Sequence, residues 1–288
     1  RLTPANPGEP PSTTTWAGTP SLQGRPRAPG RDLAAFGRTA RAGGRGQGGN
    51  RVVNTHIERV EAHDGGTFDS FCAVPDGGRG PGVLLFQEVF GVNDNMRGLA
   101  RRLADEGYLV LVPDMFWRVR PGFESPGEAG LAEGMSLAGQ MDQDLAVHDM
   151  SSALGHLLGM PGCTGKVGAV GFCLGGTLTY TCAATARLDR RSLAAAVPYY
   201  GSGIYQLLDL AGAVECPIMF HYGDRDPYIP AEQVAAIEAA FAGHGNAEVH
   251  HYDAGHAFSN WDAPSFYQPE AAAKAWDRTT AFLAKHLR

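Results

Sequence analysis

The stretch "GAVGFCLGGTLTY", residues 168–180, decides how the rest of the chain is read. Its first half is a short apolar run of strand character, Cys173 follows between Gly171 and Gly175, and "LGGTLTY" opens a helix. A nucleophile carried on so sharp a strand-to-helix turn needs small neighbours, because the bent backbone brings the flanking residues together. Gly171 and Gly175 provide that clearance. The turn also sets the sulfur at a helix N-terminus, where the dipole favours negative charge, and makes the amide of Leu174 a natural donor to an oxyanion. Alone, G-x-C-x-G is a weak signal, since free cysteine is among the most buried residue types. On this stretch Cys173 reads equally as a core residue and as a nucleophile.

Outward from it, apolar runs of strand length recur at "VLLF" (83–86), "YLVLVP" (108–113), "KVGAV" (166–170), "AAAVPYY" (194–200), "IMFHY" (218–222) and "EVHHY" (248–252), all read as buried strands. Between them lie helical patterns. Met96, Leu99, Ala100 and Leu103 share one face, as do Val234, Ile237 and Phe241, and Ala272, Ala275, Trp276, Thr279, Phe282 and Leu283. Upstream, "NTHIERVEA" and "TFDSFCAVP" flank Asp64-Gly65, a hairpin turn signal. Strands alternating with helices predict a doubly wound α/β domain over 51–288: a mostly parallel sheet, helices on both faces and an antiparallel N-terminal edge hairpin. In such a sheet ligands sit beyond the carboxyl ends of the strands. The Pro- and Gly-rich stretch 118–140 reads either as a lid over that edge or as a surface excursion.

Charge is divided unevenly. Residues 1–51 hold eight arginines against Glu9 and Asp32, whereas the whole chain carries −6, so the remainder is acidic by about −12. An acidic body argues against nucleic acid as a partner. Residues 1–50, rich in Gly, Pro and Arg, lack the apolar content to order themselves and read as a disordered tail, although an arginine-rich leader is also the composition of a transit peptide. Five cysteines without a C-x-x-C pair suit a reducing cytoplasm, and no apolar run is long enough for a transmembrane helix.

The partners that a nucleophile on an elbow requires come later in the chain, acid before base. "HYGDRDPYIP" offers Asp224 and Asp226 just past one strand, and "YDAGHAFSN" offers His256 just past the next. Asp226, deeper in its loop, is the better acid, because Asp224 suits turn formation. His250 and His251 are adjacent on a strand and point opposite ways, His221 falls inside a buried strand, and no metal-ligand spacing occurs, so no metal is expected. In "LLFQEVFGVND" (84–94) Glu88 ends a strand at the same edge. A carboxylate opposes a thiolate, which makes sense where it holds the thiol protonated until substrate arrives.

"QEVFGVN", "GFCLGG", "GDRDPYIP" and "AGHAF", in this order, resemble the dienelactone hydrolase family of the α/β-hydrolase superfamily, over about residues 54–288. The resemblance implies an α/β-hydrolase fold and hydrolysis of small esters or lactones, the carboxymethylenebutenolidase type of reaction. It implies an acyl-thioester on Cys173, Asp226 as acid, His256 as base and Glu88 as partner of the resting thiol. The amides of Leu174 and Val89 match the oxyanion hole, and neither metal nor organic cofactor is implied. Two arginines that hold a substrate carboxylate in the family have no counterpart: Asn260 stands four residues past His256, and no arginine occurs between Arg120 and Arg187. Tyr199, Tyr200, Asn260 and Trp261 are the expected pocket walls. The expected protein is a cytoplasmic monomer or weak homodimer with a small-molecule substrate. A non-catalytic redox sensor built on the same thiol is the alternative from another class.

Overall fold

The computed structural model describes residues 53–188 and 191–288. The expected disordered tail, 1–50, lies outside the described residues. The predicted hairpin opens the described chain: β1 (Asn54–Glu61) and β2 (Thr67–Val74) pair antiparallel from Asn54↔Val74 to Glu61↔Thr67. Between them Gly65 takes φ +84°, the left-handed conformation for which the Asp-Gly turn selects.

The alternation then begins with β3 (Gly80–Phe86), α1 (Asp94–Asp105) and β4 (Leu109–Pro113). A 3₁₀ segment (Gly127–Gly130), α2 (Leu131–Ala138) and α3 (Gln143–Gly159) lead to β5 (Cys163–Phe172) and α4 (Leu174–Thr185). The chain closes with β6 (Ala195–Tyr199), a second 3₁₀ segment (Ile204–Ala213), β7 (Ile218–Gly223), α5 (Ala231–Phe241), β8 (Ala247–Tyr252) and α6 (Pro269–Leu287). The eight strands form one sheet in the order β1-β2-β4-β3-β5-β6-β7-β8. From β4 to β8 all pairings are parallel, while β2 joins β4 antiparallel. The doubly wound sheet and its antiparallel N-terminal edge are as predicted.

Neighbouring residues of a strand face opposite sides, and Val167 and Gly168 show which helix covers which side. Val167 packs with Gly82 near Leu157 of α3, whereas Gly168 lies against Leu287 of α6. Helices therefore cover both faces. From β3 the chain passes to β4 on one side and then back across to β5 on the other. Strand order reverses between β3 and β5, which opens a crevice at their carboxyl ends.

One expectation changes, and one segment gains a definite form. β8 is half-exposed at the sheet edge instead of buried, and its His251 pairs at the surface with Asp224 and Glu238. The stretch 118–140, read as a lid or a surface excursion, carries a 3₁₀ segment and α2 and is anchored to the body. Arg118 and the Trp117 indole both donate to the buried Asp149 of α3, at 2.8 Å. Gly134 of α2 packs so tightly that a Cβ there would lie 2.0 Å from the Val89 carbonyl oxygen. No helix among the described residues is long and apolar enough to cross a membrane.

Candidate active site

The elbow is built as its sequence requires. Cys173 takes φ +54° and ψ −114°, outside the regions open to an unstrained L-residue. A Cβ on Gly171 would lie 2.1 Å from the Gly175 carbonyl oxygen, and one on Gly175 would lie 2.1 Å from that of Phe86. The two glycines let the first turn of α4 fold back on β5 and close against the end of β3. As the first residue of a helix, Leu174 has an N–H without an intrahelical acceptor. The N–H of Val89, in the loop after β3, likewise has no acceptor among the described residues.

Asp226 and His256 come from the loops after β7 and β8, which the backbone ties together. Asp224 N–H donates to the Tyr252 carbonyl at 2.8 Å and Arg225 N–H to that of Ala254 at 2.9 Å. This pairing sets His256 Nδ1 2.7 Å from Asp226 Oδ2, with His256 Nε2 3.2 Å from Cys173 Sγ. A carboxylate only accepts, so Nδ1 carries the proton and Nε2 is left to take one from sulfur. The other Asp226 oxygen accepts the Tyr228 N–H at 2.8 Å. Burial disfavours charge on the imidazole, but negative charge at Cys173 and the hydrogen bond to Asp226 outweigh it, pushing the His256 pKa well above its ordinary value.

Glu88 is 3% exposed beside this group. Asn260 Nδ2 donates to its Oε2, and the Tyr200 hydroxyl donates to its Oε1 at 3.3 Å. Burial is the main influence on this carboxyl and raises its pKa from 4.5 to about 7; His256 charge, Asn260 and Tyr200 pull the other way. The expected pairing of Glu88 with the thiol is not the arrangement in this structure, because the sulfur's hydrogen bond goes to His256.

The expected pocket walls separate. Tyr200 stands in the site, its ring centroid 5.2 Å from that of His256. Tyr199 is core: its hydroxyl bonds Thr279 at 2.6 Å and its carbonyl accepts the Cys173 N–H. Asn260 is committed to Glu88 and, through Oδ1, to Asp262 N–H. Trp261 lies over α1, with the Arg102 guanidinium 5.8 Å from its ring centroid. His221, as expected, is a core residue bonded to Tyr252 and Thr279. Tyr228 was not anticipated: besides its amide bond, its ring stands edge-on to His256 at 5.0 Å. The "DPY" spacing carries that signal, since an Asp side chain accepts from the amide two residues on.

The three non-glycine residues with positive φ among the described residues are Cys173, Tyr200 (+36°) and Ala257 (+52°). All lie at this site: one bears the sulfur, one contacts His256 and Glu88, and one follows His256. Each costs on the order of 1–3 kcal/mol, and such strain collects where a fold positions reacting groups. No group of three or more His, Cys, Asp or Glu is arranged to hold a metal among the described residues.

Comparison with known proteins gives the family. The family model for the dienelactone hydrolase family matches residues 68–287. A carboxymethylenebutenolidase of Pseudomonas sp. (strain P51) is 36% identical over 228 residues, covering 78% of this chain and 93% of that protein. One of Pseudomonas putida is 35% identical over 228 residues, covering 78% and 94%. Among solved structures, the dienelactone hydrolase-like promiscuous phosphotriesterase P91 from metagenomic libraries superposes with a TM-score of 0.68 at 26% identity, covering 81% of this chain and 99% of that one.

Proposed function

Since the chain belongs to the dienelactone hydrolase family, we propose that it is a cysteine-nucleophile hydrolase of small esters or lactones, working through an acyl-thioester. The observation that carries this reading is the bridging His256, 2.7 Å from Asp226 through one ring nitrogen and 3.2 Å from the Cys173 sulfur through the other.

Cys173 Sγ attacks the acyl carbon as its proton passes to His256 Nε2, and Asp226 stabilises the imidazolium. The carbonyl oxygen gains the negative charge and accepts from the N–H groups of Leu174 and Val89. Collapse breaks the carbon–oxygen bond, and His256 returns the proton to the departing oxygen. Water, deprotonated by His256, then attacks the thioester. The second collapse breaks the carbon–sulfur bond, His256 returns its proton to the sulfur, and the acid is released.

Glu88, held by Asn260 and Tyr200, sets the charge of the site around the thiol. Below about pH 7 its carboxyl is neutral and places no negative charge beside sulfur; above that it does. Asn260 in the place of a carboxylate-binding arginine favours neutral substrates over anionic lactones.

The test is a panel of neutral aryl esters, neutral lactones and carboxylate-bearing dienelactones, assayed with wild type and Cys173→Ala. The expected result is turnover strongest on the neutral members and lowered at least ~10³-fold by Cys173→Ala, with the circular dichroism spectrum unchanged. Full activity in Cys173→Ala would refute the mechanism.

A further inference from the structure

Along α4, Leu174, Leu178, Thr181 and Thr185 stand at i, i+4, i+7 and i+11, one stripe about 16 Å long that starts at the residue after the nucleophile. The stripe forms one wall of a partly open cavity of about 220 Å³, lined on its other sides by α3, by the end of α2 and by the 3₁₀ segment Ile204–Ala213. For scale, an apolar cavity of about 150 Å³ accepts benzene. We infer that this cavity is the acyl subsite of the enzyme and that it takes a neutral, unbranched acyl chain of medium length. The inference rests on the cysteine-hydrolase reading and names the acyl group which that site accepts.

Three observations point there. First, the cavity reaches one of the proposed oxyanion donors, Leu174, and lies one helical turn of α2 from the residue packed on the other. Leu174 offers its amide to the reacting carbonyl and its side chain to the cavity wall. Ala138, also in the wall, lies one helical turn from Gly134, which packs on the Val89 carbonyl. Second, His256 must reach the departing oxygen, so the leaving group belongs on the side of its loop. No residue of the loop 252–262 lines the cavity, which leaves it to the acyl side. Third, its chemistry suits hydrocarbon. Met150, Leu178 and Leu210 are among its walls, and its single charged residue, Asp144, is exposed and would repel a carboxylate. The Thr181 hydroxyl is buried without a hydrogen-bond partner, so that wall holds no polar network a hydrocarbon chain would break.

The experiment measures kcat/KM for p-nitrophenyl esters from acetyl to octanoyl. Burying a methylene in an apolar cavity corresponds to about a fourfold gain, so hexanoyl over acetyl should reach on the order of 10². Thr181→Trp fills the cavity midway and should lower that hexanoyl-to-acetyl ratio at least ~10-fold, whereas Thr181→Val, which removes only the unpartnered hydroxyl, should hold or raise it. In acetate esters of methanol to hexanol, Thr181→Trp should leave the dependence on alkoxy length as in wild type. A flat acyl series, an acyl series indifferent to Thr181→Trp, or an alkoxy series that responds to it would overturn the proposal.

Calorimetric binding of methyl octanoate to Cys173→Ala separates this proposal from the catalytic reading. Affinity lost on adding Thr181→Trp supports the subsite even where Cys173 proves dispensable for turnover. Affinity that Thr181→Trp leaves unchanged counts against it.

Discussion

Glu88→Gln tests the electrostatics of the site without touching its nucleophile. Burial raises this carboxyl from 4.5 to about 7 in the folded chain. An acid whose folded pKa is raised holds its proton in the native state over a range where the unfolded chain has lost it. The stability it contributes is therefore complete below pH 4.5, declines as pH rises and is gone above about pH 7. The full span corresponds to about 3 kcal/mol, most of which falls between pH 5 and pH 8. Glutamine has nearly the same shape and does not titrate, so Glu88→Gln should lack this decline. His256, with a raised pKa, also loses stabilising effect as pH rises, and because its charge acts on Glu88 the difference between the two proteins reads the pair together. Urea unfolding of both at pH 5 and pH 8 is the assay. The variant should gain on wild type by about 2–3 kcal/mol on going to pH 8. A difference that stays constant within about 0.5 kcal/mol would refute the assignment of Glu88 as a proton-holding buried carboxyl.

Three further substitutions probe the geometry. Asp226→Asn removes the acceptor that fixes the His256 tautomer and should lower kcat/KM on the order of 10³–10⁴-fold, while Asp224→Asn, whose carboxylate pairs with His251 at the surface, should change it less than about twofold in steady-state assays. Gly175→Ala places a methyl group 2.1 Å from the Phe86 carbonyl oxygen, which backbone movement alone can relieve; a loss of about 3 kcal/mol or more in chemical denaturation is expected, with ester turnover abolished.

Much of this site was legible because its constraints are local. The glycines around Cys173, the turn residues around Asp226 and the glycine before His256 record in composition what a sharp strand-to-loop transition demands. The strands could be read from apolar runs for the same reason. What escaped depends on partners far along the chain. α3 has no clean apolar face, because it buries Asp149 to receive Arg118 and Trp117 from more than thirty residues upstream. α2 contains a glycine where a good helix former would stand, and the reason is the carbonyl of Val89. The length and composition of "EVHHY" resemble those of an inner strand, and only the order of the sheet makes β8 an edge. Glu88 was located correctly beside the thiol's strand end, but its attachment to Asn260, 172 residues away, is a tertiary fact.

Sheet order has one more consequence. Cys173 hangs from β5, with four strands on one side and three on the other, whereas His256 follows β8, the outermost strand. Edge strands open by local fluctuations that cost far less than global unfolding, and central strands open only with the whole domain. The nucleophile and its base therefore sit at opposite ends of the molecule's hierarchy of protection. When β8 frays on warming, the zipped loops part and sulfur loses its base while the rest of the sheet remains intact. Hydrolysis should then fail at a lower temperature than the fold, and be restored on cooling.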